Sequence, residues 1–197
     1  MKRLSLSLLS RLIGAASILA LTAYLAVPAA ASPKPAIQFL GKTYRLGSYN
    51  QKDKPMWEFT TSTESVDDWT TLVTVIDRPD AASLTNLDRL AQGTMQAFQS
   101  GGAKILMART MRDPSGKPYD YLVAAFDEAD KQRYELNFAK IALGPKHAYI
   151  LIYAARISGS DYKSKAVKFL DDHSGAIGKA LNAEPAPGIA AYPRTPF

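Results

Sequence analysis

Four apolar runs in close succession decide how this chain folds: KILMARTM (104–111), YDYLVAAF (119–126), YELNFAKIAL (134–143) and HAYILIYAARI (147–157). Each is short, rich in β-branched, aromatic and aliphatic residues, and closed by turn chemistry. Asp113-Pro114-Ser115-Gly116 follows the first run, the charged segment Asp127 to Gln132 the second, and Gly144-Pro145-Lys146 the third. Connections this short join antiparallel neighbours, because a parallel return needs a long crossover. The last run is apolar at Ile150, Leu151, Ile152 and Tyr153, hence on both faces, which predicts a central strand.

Upstream, Trp69 to Ile76 reads as the clearest strand. Leu72, Thr74 and Ile76 point one way and Val73 and Val75 the other, so it too is expected at the centre of a covered sheet. Asp77-Arg78-Pro79-Asp80 ends it. Ser62 to Asp68 reads as a polar loop and Trp57 to Thr60 as a strand. Ile37 to Leu40 and Thr43 to Leu46 read as a hairpin about Gly41-Lys42.

Between strands 76 and 104 the period changes. Leu84, Leu87, Ala91, Met95 and Phe98 recur at three- and four-residue steps, which predicts a helix over 84–100 with one apolar stripe. Ser83 or Thr85 can cap its start, and Gly101-Gly102 end it. Asp161 to Leu181 repeats the pattern with Tyr162, Ala166, Phe169, Leu170, His173, Ile177 and Leu181 inward, and Ser160 as the cap. The fold class is therefore α+β: an antiparallel sheet of about six to seven strands with two main helices packed on it, in the order β-β-β-α-β-β-β-β-α. The expected divisions are a leader over 1–31, one domain over 32–182 and a proline-rich flexible tail over 183–197.

This order of elements resembles the Mog1/PsbP/DcrB-like fold over the domain up to Leu181. The run Asp68-Trp69-Thr70-Thr71-Leu72-Val73-Thr74-Val75 also resembles segments of exported bacterial proteins. The fold resemblance implies a non-catalytic binding or assembly factor, although a fold alone does not fix function.

The first 31 residues read as a cleavable secretory signal. Lys2, Arg3 and Arg11 precede an apolar stretch from Leu12, closed by Pro28, and the small residues Ala29 and Ala31 set a cut before Ser32. A periplasmic or secreted location is expected. The chain has no cysteine, so neither a lipid-anchored leader nor a disulfide framework is available. Loss of the three basic residues takes the formal charge from +6 to +3. No basic run is interleaved with aromatics, so nucleic acid is not an expected partner.

Chemistry-bearing sets are sparse. The two histidines, His147 after a turn and His173 on a helix, are the candidates for an envelope hydrolase; no Gly-x-Ser-x-Gly elbow is present to supply a serine. Neither a metal site nor a cofactor is expected: histidines at ligand spacing are missing, and the Asp127, Glu128, Asp130 cluster lacks the calcium-loop pattern. Gly101-Gly102 follows a helix, whereas a phosphate cradle precedes one. Lys163, Lys165, Lys168 and Lys179 allow weak contact with a membrane surface.

Aromatics remain. Trp57 and Trp69 flank polar loops, and Tyr119 and Tyr121 stand on a strand; tryptophan and tyrosine are enriched at binding hot spots. The expectation is a monomeric, non-catalytic exported protein meeting an envelope protein through Trp57, Trp69, Tyr119 and Tyr121. A small-ligand binder with a helix–sheet pocket and the histidine-dependent hydrolase are the alternatives.

Overall fold

Two strands predicted to be central lie side by side. In the computed structural model, which describes residues 35–51, 54–184 and 192, β4 (Thr71–Arg78) pairs antiparallel with β8 (Ala148–Ser158) from Thr71 opposite Ala155 to Arg78 opposite Ala148. The chain before β4 is a meander of β1 (Ala36–Phe39), β2 (Lys42–Asn50) and β3 (Met56–Thr60). After β4 come α1 (Leu84–Ser100), then β5 (Lys104–Arg112), β6 (Pro118–Glu128) and β7 (Arg133–Leu143) before β8, and finally α2 (Tyr162–Ala183). The eight strands form one sheet in the order β1-β2-β3-β4-β8-β7-β6-β5, antiparallel throughout. The fold class is α+β as expected, but the strand count of six to seven is low. Four strands rather than three precede α1, because both arms of the first hairpin join the sheet and the second runs on to Asn50.

The hairpin turn is Leu40-Gly41, one residue earlier than expected. Phe39 pairs with Lys42, leaving two turn residues with φ of +49° and +74°. Positive φ at both positions is the type I′ requirement, which suits the twist of the strands. Glycine meets it freely; a leucine there carries the left-handed crowding of its Cβ against the carbonyl.

Alternation along the strands divides the core in two. On one face Val73, Val75, Tyr121, Phe138, Leu151 and Tyr153 are buried with Ala166, Ile177 and Leu181 of α2, which lies across β7 and β8. On the other, Leu122, Ala139, Ile141, Ile150 and Ile152 are buried with Leu87 and Leu90 of α1, which lies across β5 to β7. The helices thus cover opposite faces. Among the described residues no helix is long and apolar enough to cross a membrane.

The helix ends follow local chemistry. The Ser83 hydroxyl accepts from the Asn86 amide at 3.3 Å. At the other end the Ala103 amide reaches the Phe98 carbonyl and the Gly102 amide that of Gln99, both at 2.9 Å, with Gly102 at φ +91°. This is the Schellman arrangement that a left-handed glycine permits. The α1 stripe is the expected one at Leu87, Ala91, Met95 and Phe98, which pack on the sheet, but its most buried line is shifted to Leu87, Leu90 and Thr94, and Leu84 is 54% exposed. The Thr94 hydroxyl donates to the Leu90 carbonyl at 2.8 Å, so its burial leaves no unmet donor. For α2 the N-cap is Asp161 rather than Ser160, and its carboxylate pairs with Lys165 at 2.7 Å.

The C-terminal end of α2 is held by a buried lysine. Lys140 of β7 donates to the carbonyls of Glu184 at 2.7 Å and Asn182 at 3.4 Å, and its ammonium stands 5.1 Å from the centre of the Tyr119 ring. Burial lowers its pKa. A cation at a helix C-terminus meets carbonyls that have no intrahelical partner. Of the expected tail, Tyr192 is described; it lies 5.5 Å from Trp57 and 5.3 Å from Phe59, ring centre to ring centre.

Replacing Leu40 by Asn keeps the turn and relieves the left-handed crowding. Leu40 is 39% exposed, so little burial is lost. The expected gain is about 1 kcal/mol, a rise in Tm of about 2–4 °C in a thermal melt; an unchanged or lower Tm would remove this account of the turn.

Candidate functional site

Strand β5 has one neighbour. It pairs with β6 from Lys104 opposite Ala125 to Arg112 opposite Pro118, with a shift of register between Ile105 and Met107 that makes Leu106 the extra residue of a bulge. Exposure is nearly continuous along it, with Leu106 40% and Met107 41% exposed. Lys104, Met107, Arg109 and Met111 are on the α2 side, as the pairing with Ala125, Val123, Tyr121 and Tyr119 dictates. The edge is therefore a row of alternating cationic and apolar side chains with no acidic residue from 104 to 112.

Between this edge and α2 runs a groove of about 600 Å³. Met107, Met111, Val123 and Leu170 make it apolar, and Arg109 and Lys179 stand in it with Asp171. Glycines on α2 shape it: a Cβ on Gly178 would lie 3.4 Å from the Tyr121 hydroxyl, whereas one on Gly175 would meet nothing within 4 Å. The Arg109 guanidinium lies 5.8 Å from the centre of the Tyr121 ring, whose hydroxyl burial pushes up to about 12.

The four aromatics expected at a surface are buried. Trp57 is 0%, Tyr119 1%, Tyr121 4% and Trp69 7% exposed. Trp57 stacks on Tyr49 at 5.2 Å. Tyr119 donates to the Met111 sulfur at 3.5 Å. Trp69 packs with Leu72 and Ala154 beneath Arg156, whose guanidinium is 3.7 Å from the centre of the ring and whose Nε donates to Glu135 at 3.3 Å. Their rings therefore serve the packing of the core. The sequence signal for the exposed edge itself is the run of cations and methionines in 104–112.

The loop before Trp69 is tied down by Glu64. Its carboxylate accepts from the Thr70 amide and the Thr61 hydroxyl, each at 2.8 Å, and from the Thr70 hydroxyl. Partial burial pushes its pKa up, but these hydrogen bonds outweigh that and hold it below the ordinary value.

The histidines separate. His147 contacts Asp77 through Nε2, a side chain buried at the end of β4. A histidine–carboxylate pair can orient a base, but among the described residues no serine or threonine hydroxyl hydrogen-bonds to His147, as a triad would need. His173 is exposed beside Phe169, 4.6 Å between ring centres, and off the inner face where the spacing placed it; Phe169 and Leu170 flank the stripe there. Asp127 accepts from the hydroxyls of Tyr162 at 2.8 Å and Tyr134 at 3.2 Å and pairs with Lys163, which lowers its pKa. Among the described residues no group of three or more His, Asp or Glu is placed to hold a metal ion. The signal-cleavage positions Ala29, Ala31 and Ser32 lie outside the described residues.

These features define an α+β domain whose sheet lies between two helices and ends in an open, basic-apolar edge. A family model matches residues 30–183, most of the 197-residue chain. The chain belongs to that family, one of uncharacterised function. No curated protein matches the chain.

Two outcomes follow for the Trp69 region. Arg156→Ala uncovers the ring and is expected to cost about 1–2 kcal/mol, with red-shifted tryptophan emission and easier acrylamide quenching; an unchanged spectrum contradicts the cover. For Glu64 the folded pKa lies below the unfolded one. Its stabilisation is thus fully present above about pH 4.5 and lost as pH falls through the folded value. The Tm gap between wild type and Glu64→Gln should narrow on acidification below about pH 4.5; a gap that widens there reverses the sign and removes the role.

Proposed function

We propose that this is a non-catalytic exported binding or accessory protein, monomeric, which takes an extended, acidic segment of an envelope protein onto the free edge of β5. One observation carries this reading: a nine-residue strand at the end of the sheet, exposed along its length, with cations and methionines alternating beside a groove. An incoming strand adds main-chain hydrogen bonds along such an edge, while pockets for alternate side chains give specificity. Lys104, Arg109 and Arg112 also discourage indiscriminate pairing, since charges and bulges guard edge strands. The same cations favour a carboxylate-bearing segment. The leader sequence supports meeting that partner in the envelope, and the resemblance to the PsbP-like fold supports an assembly role rather than catalysis.

The test is site-specific photo-crosslinking from position 107 in growing cells of the source organism. The expected product joins the strand to an acidic, extended stretch of one envelope protein, and Arg109→Glu diminishes it by about tenfold, a loss of about 1.4 kcal/mol. Equal crosslinking to the same protein from exposed Gln96 on α1, or no loss in Arg109→Glu, would count against the edge as the site.

A further inference from the structure

A second recess lies on the opposite face of the sheet. It is a groove of about 480 Å³ between α1 and the central pair β4–β8, within the range of about 300–1,000 Å³ usual for small-molecule sites. Its floor is Ile76, Ile150 and Ile152, the inward residues of both central strands. Its wall is the flank of α1 where Gly93 and Ala97 stand, and a Cβ at Gly93 would meet nothing within 4 Å. Small residues here leave open a length of apolar floor that a larger side chain would fill.

The lining carries a net positive charge. Lys54, Arg78 and Arg89 contribute three cations against one carboxylate, Asp80. That carboxylate is already engaged by the Arg78 fork, with Nε at 2.8 Å and Nη2 on the second oxygen. Arg78 belongs to β4 and its side chain is 13% exposed, so part of the positive charge is held against the sheet and not left free in water. Two positive charges therefore remain in excess beside an apolar channel.

From this juxtaposition we propose that the α1 groove binds a long-chain fatty carboxylate, the acyl chain along Ile76, Ile150 and Ile152 and the carboxylate toward Lys54, Arg78 and Arg89. An apolar chain alone would leave the cations unmatched; a small anion alone would leave the apolar floor wet. An amphiphile with an anionic end meets both. This site is distinct from β5 and stands or falls independently of it.

The test titrates the full chain without its leader with palmitate, below the concentration at which palmitate aggregates, following displacement of a fluorescent fatty acid. Saturable binding at one site is expected. Gly93→Leu should abolish it while keeping the fold, since leucine is the better helix former and there is space for its Cβ. Circular dichroism and an unchanged or raised Tm check that fold. Lys54→Glu with Arg89→Glu should weaken palmitate about tenfold or more and leave hexadecanol unaffected, and wild type should prefer palmitate to hexadecanol by a similar factor. No saturable binding, or palmitate binding undiminished in folded Gly93→Leu, overturns the site. Equal binding of palmitate and hexadecanol overturns the assignment of the cationic end.

Discussion

The pairing of β4 with β8 is the constraint on which the rest depends. Both strands are apolar on both faces, and their register sets Ile76 against Ile150 on one side of the sheet and Val75 against Leu151 on the other. A strand apolar on both faces is stable only when both are covered, so this pair requires a layer above and one below. With α1 and α2 on opposite faces, each helix meets its own set of buried residues. In the absence of cysteine, stability rests on this burial, about 1.5–3 kcal/mol for each large side chain taken fully from water.

Much of that was legible in the sequence because it is local. The double-faced apolar runs at 72–76 and 150–153 named the central strands, the turn residues named the meander, and Ser83 and Gly102 named the ends of α1. What escaped was set by partners distant in the chain. Whether Trp69 turns inward depends on Arg156, some ninety positions away, and on Glu64 drawing the preceding loop back onto the strand. A tryptophan beside a polar loop reads the same in either case. The first residue of the α1 stripe was misplaced for a similar reason, while Leu87, Ala91, Met95 and Phe98 pack as their spacing indicates. Leu84 and Leu90 are equally apolar, and docking across β5 to β7 chose Leu90.

Lys140 shows why polarity alone misleads. Its position in the inward alternation of β7, between Phe138 and Ala142, should hold an apolar residue. The lysine is there because α2 ends above it, presenting carbonyls that no helical amide satisfies. Removing such a group from water is tolerable only with partners, and Asn182, Glu184 and the Tyr119 ring supply them. A residue that breaks the pattern of its strand thus marks where the next layer terminates, and neither feature is visible without the other.

The open edge follows from the same topology. Because β8 occupies the place beside β4, the chain leaving β4 through α1 must start its second meander beyond three intervening strands, and β5 becomes the edge. Its outward amides and carbonyls are met by water, so exchanging water for a partner strand yields only about 0.5–1.5 kcal/mol for each bond. Main-chain pairing alone would not choose one partner from another. Discrimination has to come from the side chains, through burial of Leu106, Met107 and Met111 at about 25 cal/mol per Å² and through the cations among them. The bulge at Leu106 sharpens the point. It disturbs the regular ladder, weakening the edge for strands in general, and displaces an apolar side chain that a complementary segment could cover.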